Sequence, residues 1–201
     1  KKDKAIIGTI DQEKAFDKLE HKLIFKMLEK LNFGKIMITL IRTIYKKMTS
    51  QVLINGKLSE RIKITRSVRQ GDGLSMALYV ICSELLTQMI KANDDIEPIN
   101  IPNTKSQKIT IYADDTTVFT KTKKGIDQLM KTLEEYERKT GAIINKDKTE
   151  ITLLGKWRKK EIDEIRKDYG PNIRETVKIL GIYFGEKALA MNYRTQLEKI
   201  K

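Results

Sequence analysis

The chain has 201 residues, 40 Lys plus Arg against 27 Asp plus Glu, and 40% apolar residues, a size and balance that suit one domain with its own core. Its longest unbroken apolar stretch, Met76 to Cys82, falls far short of the roughly 18 residues a membrane span needs, and the lysine-rich start lacks a signal-peptide core. One cysteine (Cys82) and one histidine (His21) exclude an internal disulfide and a zinc-ligand set, so oxygen must hold any metal, while a net charge of +13 points to nucleic acid.

Ala5 to Ile10 is a short, β-branched apolar run and predicts a buried strand with Asp11 at its C-terminal end. Across Leu19 to Leu31 the apolar residues follow helical spacing, Asn32 and Gly34 supply a stop, and a second helix spans about Lys35 to Lys47. Gln51 to Asn55 and Arg61 to Thr65 predict a hairpin around Asn55-Gly56, followed by a basic segment that ends at Arg69. Ser75 to Ala92 reads as a helix and residues 93 to 107 as a loop.

Ile109 to Ala113 and Thr116 to Thr120 are β-rich runs separated by Asp114-Asp115, so a tight hairpin would carry both carboxylates at its tip. Gly125 to Thr140 is an amphipathic helix that ends at Gly141. Strands at Ile143 to Asn145 and Glu150 to Leu154 follow, then a charged helix from about Lys156 to Asp168 and a strand-like Val177 to Phe184. No internal repeat or linker interrupts this order. The pattern predicts an α+β fold, an antiparallel sheet backed by helices on one face, with Asp11, Asp114 and Asp115 meeting at one edge.

Clustered carboxylates repel one another unless a cation neutralises them, and an oxygen-only set suits a hard divalent ion such as magnesium. Adjacent strand residues point to opposite faces, so Asp114 and Asp115 can share a metal site only if the chain turns sharply between or beside them. Two metals about 4 Å apart would serve in-line phosphoryl transfer in polymerases and nucleases alike. The bland alternative is a solvated turn, the reading given to Asp94-Asp95.

The wider wording is specific. The segment "IYADDTTVF" (111 to 119) resembles the aspartate box of reverse transcriptases, and "TIDQEKAFDKLEH" (9 to 21) resembles their first palm motif. "VRQGDGLSMALYVI" (68 to 81) is similar to the template- and nucleotide-positioning motif, and "TGAIINKDKTEI" (140 to 151) and "KILGIYFG" (178 to 185) resemble the two that follow, all in family order. The wording most resembles the non-LTR retrotransposon type and is also similar to group II intron enzymes, over about residues 5 to 185.

The resemblance implies a polymerase palm in which Asp11 and Asp114 ligate a magnesium pair, Asp115 completes the acidic cluster and the Gln12 carbonyl contributes, manganese being a substitute. It implies that Phe16 stacks under the incoming sugar and blocks a 2′-hydroxyl. It also implies that Arg69, Gln70 and Gly71 lie against template and nucleotide, that Lys148 protonates the pyrophosphate leaving group, and that Leu180 and Gly181 grip the primer. The implied partners are an RNA template, a DNA primer, a deoxynucleotide (dNTP) and the rest of a parent polyprotein; no membrane is implied, and the implied setting is intracellular, in the nucleus or a cytoplasmic ribonucleoprotein.

Gly73 and Met76 stand where the family usually has proline, and only ten residues precede Asp11 where the family places its fingers. The expected organisation is therefore palm with partial fingers over 1–185 and the start of a thumb over 186–201. The rival reading is a non-catalytic nucleic-acid-binding remnant; a two-metal nuclease does not match the motif order.

Overall fold

The computed structural model describes residues 4–101 and 104–200; Pro102 and Asn103 of the predicted loop, and Lys201 at the predicted thumb start, lie outside them. Strands β1 (Ala5–Ile10), β6 (Ile109–Tyr112), β7 (Asp115–Thr120) and β8 (Glu150–Leu154) form the central sheet, ordered β6-β7-β1-β8 with every neighbour antiparallel. Period-two alternation sorts the side chains of β1: Ile6 and Ile10 enter the core with Val118 and Ile151 from the flanking strands. Gly8 lies on that same face, opposite Val118 and Ile151 in register, and a Cβ there would stand 2.9 Å from Val118 Cγ2.

Two long helices cover this face. Helix α4 (Gly73–Ala92) supplies Leu86 and Ile90, and α5 (Lys123–Thr140) supplies Ile126, Leu129, Leu133 and Tyr136. Thr122 caps α5 by accepting from the Gly125 N–H at 3.0 Å, and Gly141 ends it at φ 73, a left-handed conformation that glycine adopts without strain. The N-terminal half of α4 joins a second core with α2 (His21–Lys30) and α3 (Lys35–Lys46), through Leu78, Tyr79 and Cys82 against Leu23, Ile24, Leu28 and Ile41. Serving two cores makes α4 apolar on most sides, and among the described residues it is one helix long and apolar enough to cross a membrane by length and composition.

The helices and sheet follow the predicted plan, with local corrections. The predicted Asn55-Gly56 hairpin is two short ribbons: β3 (Leu53–Ile54) pairs with β4 (Lys57–Leu58), while β2 (Thr49–Ser50) pairs with β5 (Ile62–Lys63). Helix α4 starts two residues before Ser75 because the Asp72 carboxylate accepts from the Leu74 N–H at 3.0 Å. Ile143 to Asn145 is no strand; Ile144 makes a single bridge to Gln12. Helix α6 spans Lys159–Tyr169, later than predicted, since Glu161 reaches back to the Arg158 N–H at 2.9 Å and so fixes its first turn. The single run Val177 to Phe184 is a hairpin, β9 (Thr176–Ile179) and β10 (Ile182–Gly185), because Leu180 (φ 46) and Gly181 (φ 87) turn the chain. Helix α7 (Ala188–Ile200) follows β10, and Asn192 holds the Tyr183 backbone at both its N–H (2.8 Å) and its carbonyl (2.9 Å).

Candidate active site

Asp11 follows directly on the last residue of β1. In the β1–β7 ladder Ile10 faces Thr116, so one further step of the same register sets Asp11 opposite Asp115. The tip of the β6–β7 hairpin is Ala113-Asp114, one residue earlier than predicted: Asp115 already pairs with Tyr112 as the first residue of β7. Ala113, at φ 53, absorbs the backbone reversal. Asp114 therefore rides the turn while Asp115 belongs to the strand, and the sharp turn that a shared site requires lies beside the pair.

A cleft of about 200 Å³ opens at this edge. The carboxylates Asp11, Asp114 and Asp115 line it with Gln12, and so do Lys148, Lys178 and Leu180. Among the described residues, none of the three carboxylates is engaged in an ion pair or a side-chain hydrogen bond. Two buried polar atoms beside them, Gln12 Nε2 and Thr116 Oγ1, also have no hydrogen-bond partner there. Paired charges would neutralise themselves; these are left available to a ligand.

The Gln12–Ile144 bridge is bounded by two backbone bonds, Glu13 N–H to Ile143 O and Asn145 N–H to Asp11 O, both 2.8 Å. In that arrangement the bridged residues do not bond each other, so the Gln12 carbonyl is directed away from Ile144. Lys148 is held near the carboxylates by its own turn, its N–H donating to Asn145 Oδ1 at 3.1 Å. Leu180 reaches the cleft from the β9–β10 turn, and Gly181 completes that turn without lining the cleft.

Four more predicted residues lie outside the cleft walls. Phe16 sits on α1 (Ala15–Lys18), partly exposed, with its ring stacked on Tyr79. Arg69, Gln70 and Gly71 are exposed in the segment leading to α4, where Gly71 (φ 84) makes the turn. Arg69 lines a separate open groove with Lys63 and Arg66. That basic segment is fastened along the Phe16–His21 stretch by Val68 N–H to Phe16 O (3.0 Å), Ser67 N–H to Leu19 O (2.8 Å) and His21 N–H to Thr65 O (3.2 Å).

Unpaired carboxylates with a backbone carbonyl are the donor chemistry of magnesium or manganese sites. Among the described residues no three Asp, Glu, His or Cys side chains are gathered around a single point, so the fit is one of donor type and shared cleft, not of a preassembled shell.

A family model described as reverse transcriptase (RNA-dependent DNA polymerase) matches residues 1–184. The chain belongs to the reverse transcriptase family. Among curated proteins it is 26% identical over 175 residues to the transposon TX1 uncharacterized 149 kDa protein of Xenopus laevis, covering 87% of this chain and 13% of that one. It is 27% identical over 143 residues to the retrovirus-related Pol polyprotein from the type-2 retrotransposable element R2DM of Drosophila melanogaster, covering 71% of this chain and 13% of that one. The chain thus spans about an eighth of each relative, and both are proteins of transposable elements, in keeping with the non-LTR type.

The fold is that of reverse transcriptase structures as well. Telomerase from Candida tropicalis, apo and truncated from its C-terminal domain, superimposes with a TM-score of 0.60 at 15% identity over 91% of this chain and 34% of that one. Telomerase from Candida albicans, in complex with a fragment of telomeric RNA, gives 0.57 at 16% identity over 92% and 30%.

Sequence reading passed over Lys178, a cation in the reverse transcriptase cleft. Its signal is the alternation within β9, where Val177 is buried and Lys178 exposed two residues before the Leu180 turn.

Proposed function

We propose that this chain is the catalytic palm of an RNA-directed DNA polymerase, in which a primer 3′-hydroxyl attacks the α-phosphate of a deoxynucleotide on an RNA template. The observation that carries the reading is the meeting of Asp11 with Asp114 and Asp115, from segments a hundred residues apart, in one cleft with their carboxylates unpaired. Asp11, Asp114, Asp115 and the Gln12 carbonyl would hold two magnesium ions, or manganese in their place, which lower the pKa of the attacking hydroxyl and stabilise the leaving oxygen when bound.

The protein's own groups orient the reactants. Lys148, which lines the same cleft, protonates the departing pyrophosphate, an acid role suited to an exposed ammonium beside the reaction centre. Leu180 and Gly181 support the primer end, Phe16 excludes the ribose 2′-hydroxyl, and Arg69, Gln70 and Gly71 contact template and nucleotide. Residues 1–185 form the palm with partial fingers and 186–201 begin the thumb, within a retrotransposon polyprotein that works inside the cell, in the nucleus or a cytoplasmic ribonucleoprotein.

Single-nucleotide extension of a DNA primer on an RNA template tests this, with this chain, a version extended by its flanking sequence, and Asp114→Asn in each. Asp114→Asn removes one charge and keeps the shape, so extension should disappear while RNA binding persists. Full activity in that variant would sink the assignment. The second reading, a nucleic-acid-binding remnant, draws on the absence of a preassembled three-residue metal shell among the described residues. It requires strongly salt-dependent, magnesium-independent binding without extension in any version.

A further inference from the structure

Phe16 stands on a helix of only four residues, too short to fix a ring by itself. Its backbone is held by the Val68 N–H, which donates to the Phe16 carbonyl at 3.0 Å. Its ring is held by Tyr79, with centroids 4.5 Å apart and planes inclined by 21°. Tyr79 is 3% exposed and belongs to α4, the helix anchored in both cores, so it is the rigid member of the pair.

We propose that Tyr79 is a positioning residue that sets the height of the Phe16 ring and, through it, discrimination between deoxyribo- and ribonucleotides. The inference rests on the reading of Phe16 as the residue beneath the incoming sugar. Steric exclusion depends on the excluding group being unable to retreat, and close-packed interiors transmit such support. Phe16 remains partly exposed, so the stacked Tyr79 ring is the floor that keeps it from sinking toward α4. The Tyr79 hydroxyl is buried with no hydrogen-bond partner among the described residues, which leaves the support to the flat ring and not to the oxygen.

The test is single-nucleotide incorporation of dTTP and UTP on an RNA template by the full polypeptide carrying this chain, read as the ratio of their kcat/KM values. Phe16→Val should lower the ratio sharply. Tyr79→Leu should lower it about threefold to tenfold, the scale of one stacked aromatic pair. Tyr79→Phe, which keeps the ring, should leave it unchanged. Leu86→Ala, a fully buried change about two turns further along α4, should cost stability without moving the ratio. Tyr79→Met, of similar volume but without a flat face, replaces Tyr79→Leu should the latter fail to fold. An unchanged ratio in the Tyr79 variants beside a lowered one in Phe16→Val would overturn the positioning role and leave the Phe16 reading intact. An unchanged ratio in Phe16→Val would overturn both, and an equal loss in Leu86→Ala would reduce Tyr79 to general packing.

Discussion

The Asn145 N–H donates to the Asp11 carbonyl at 2.8 Å, so the loop that carries Lys148 is fastened to the first carboxylate of the cleft. The same residue organises the loop: its Oδ1 accepts from the Lys148 N–H at 3.1 Å and its carbonyl accepts from the Thr149 N–H at 3.0 Å. A local turn and a long-range strand end thereby meet at Asn145, which ties the backbone of Lys148 to that of Asp11.

Asn145→Ala removes the Oδ1 acceptor and keeps both backbone bonds. The expected loss of stability is about 1 kcal/mol, the worth of one hydrogen bond, with primer extension lowered about tenfold through a less constrained Lys148. Urea denaturation and single-nucleotide extension measure the two effects. Unchanged extension alongside the stability loss would separate Lys148 from the reaction.

Gly185→Ala should unseat the hairpin that brings Lys178 and Leu180 to the cleft. A Cβ at Gly185 would stand 2.1 Å from the Glu175 carbonyl oxygen, a backbone atom, and φ is 136. Overpacking and backbone strain together predict a loss of about 2–3 kcal/mol. Gly34→Ala is the control, since nothing lies within 4 Å of its Cβ and its φ of −60 suits any residue. Equal midpoints for the two variants in urea would contradict this account of the hairpin.

The legible parts of the fold are those whose signal is local. The period of Ile126, Leu129, Leu133 and Tyr136 and the cap at Gly141 mark α5 within a few residues, and the β-branched run before Asp11 marks β1. What failed to show is set by partners distant in sequence or by single left-handed residues. Ile143 to Asn145 carries a strand's composition, yet Ile144 pairs through one bridge with Gln12 beyond the end of β1 and makes no ladder. Leu180 hides a turn because leucine rarely adopts φ 46; the tolerant Gly181 beside it was the visible cue. At the candidate site the three aspartates were legible from wording and spacing, while Lys178 was not, because one lysine among 40 basic residues becomes distinctive only when the hairpin folds back.

Cys82 should be inert in the folded chain. It lies 1% exposed within the second core, and burial pushes its thiol up to about 12. At pH 8 the reactive thiolate is then scarce as well as inaccessible. Alkylation should follow global unfolding, proceeding readily in denaturant and negligibly in its absence. Rapid labelling of the native chain would mean that α4 parts from α2 on its own.

Glu161 should make acid stability depend on the contact between the start of β1 and helix α6. Its carboxylate accepts from Lys4 Nζ at 2.6 and 2.9 Å and from the Arg158 N–H and guanidinium at 2.9 and 3.1 Å. The Arg158 guanidinium first, and then the Lys4 ammonium, hold the carboxyl down to about 2, below the usual carboxylate range of about 4.3. Folding thus favours the charged form. Its stabilisation is complete above the unfolded value and is lost as pH falls toward the folded one. Glu161→Gln should therefore lower the thermal midpoint at pH 7 and low salt, and the gap to the unchanged chain should close between about pH 4.5 and 2. Because the pair is partly open to solvent, about 1 M salt should narrow the gap as well. A gap that persists unchanged at pH 2 would assign the effect of the substitution to packing against α6 and not to charge.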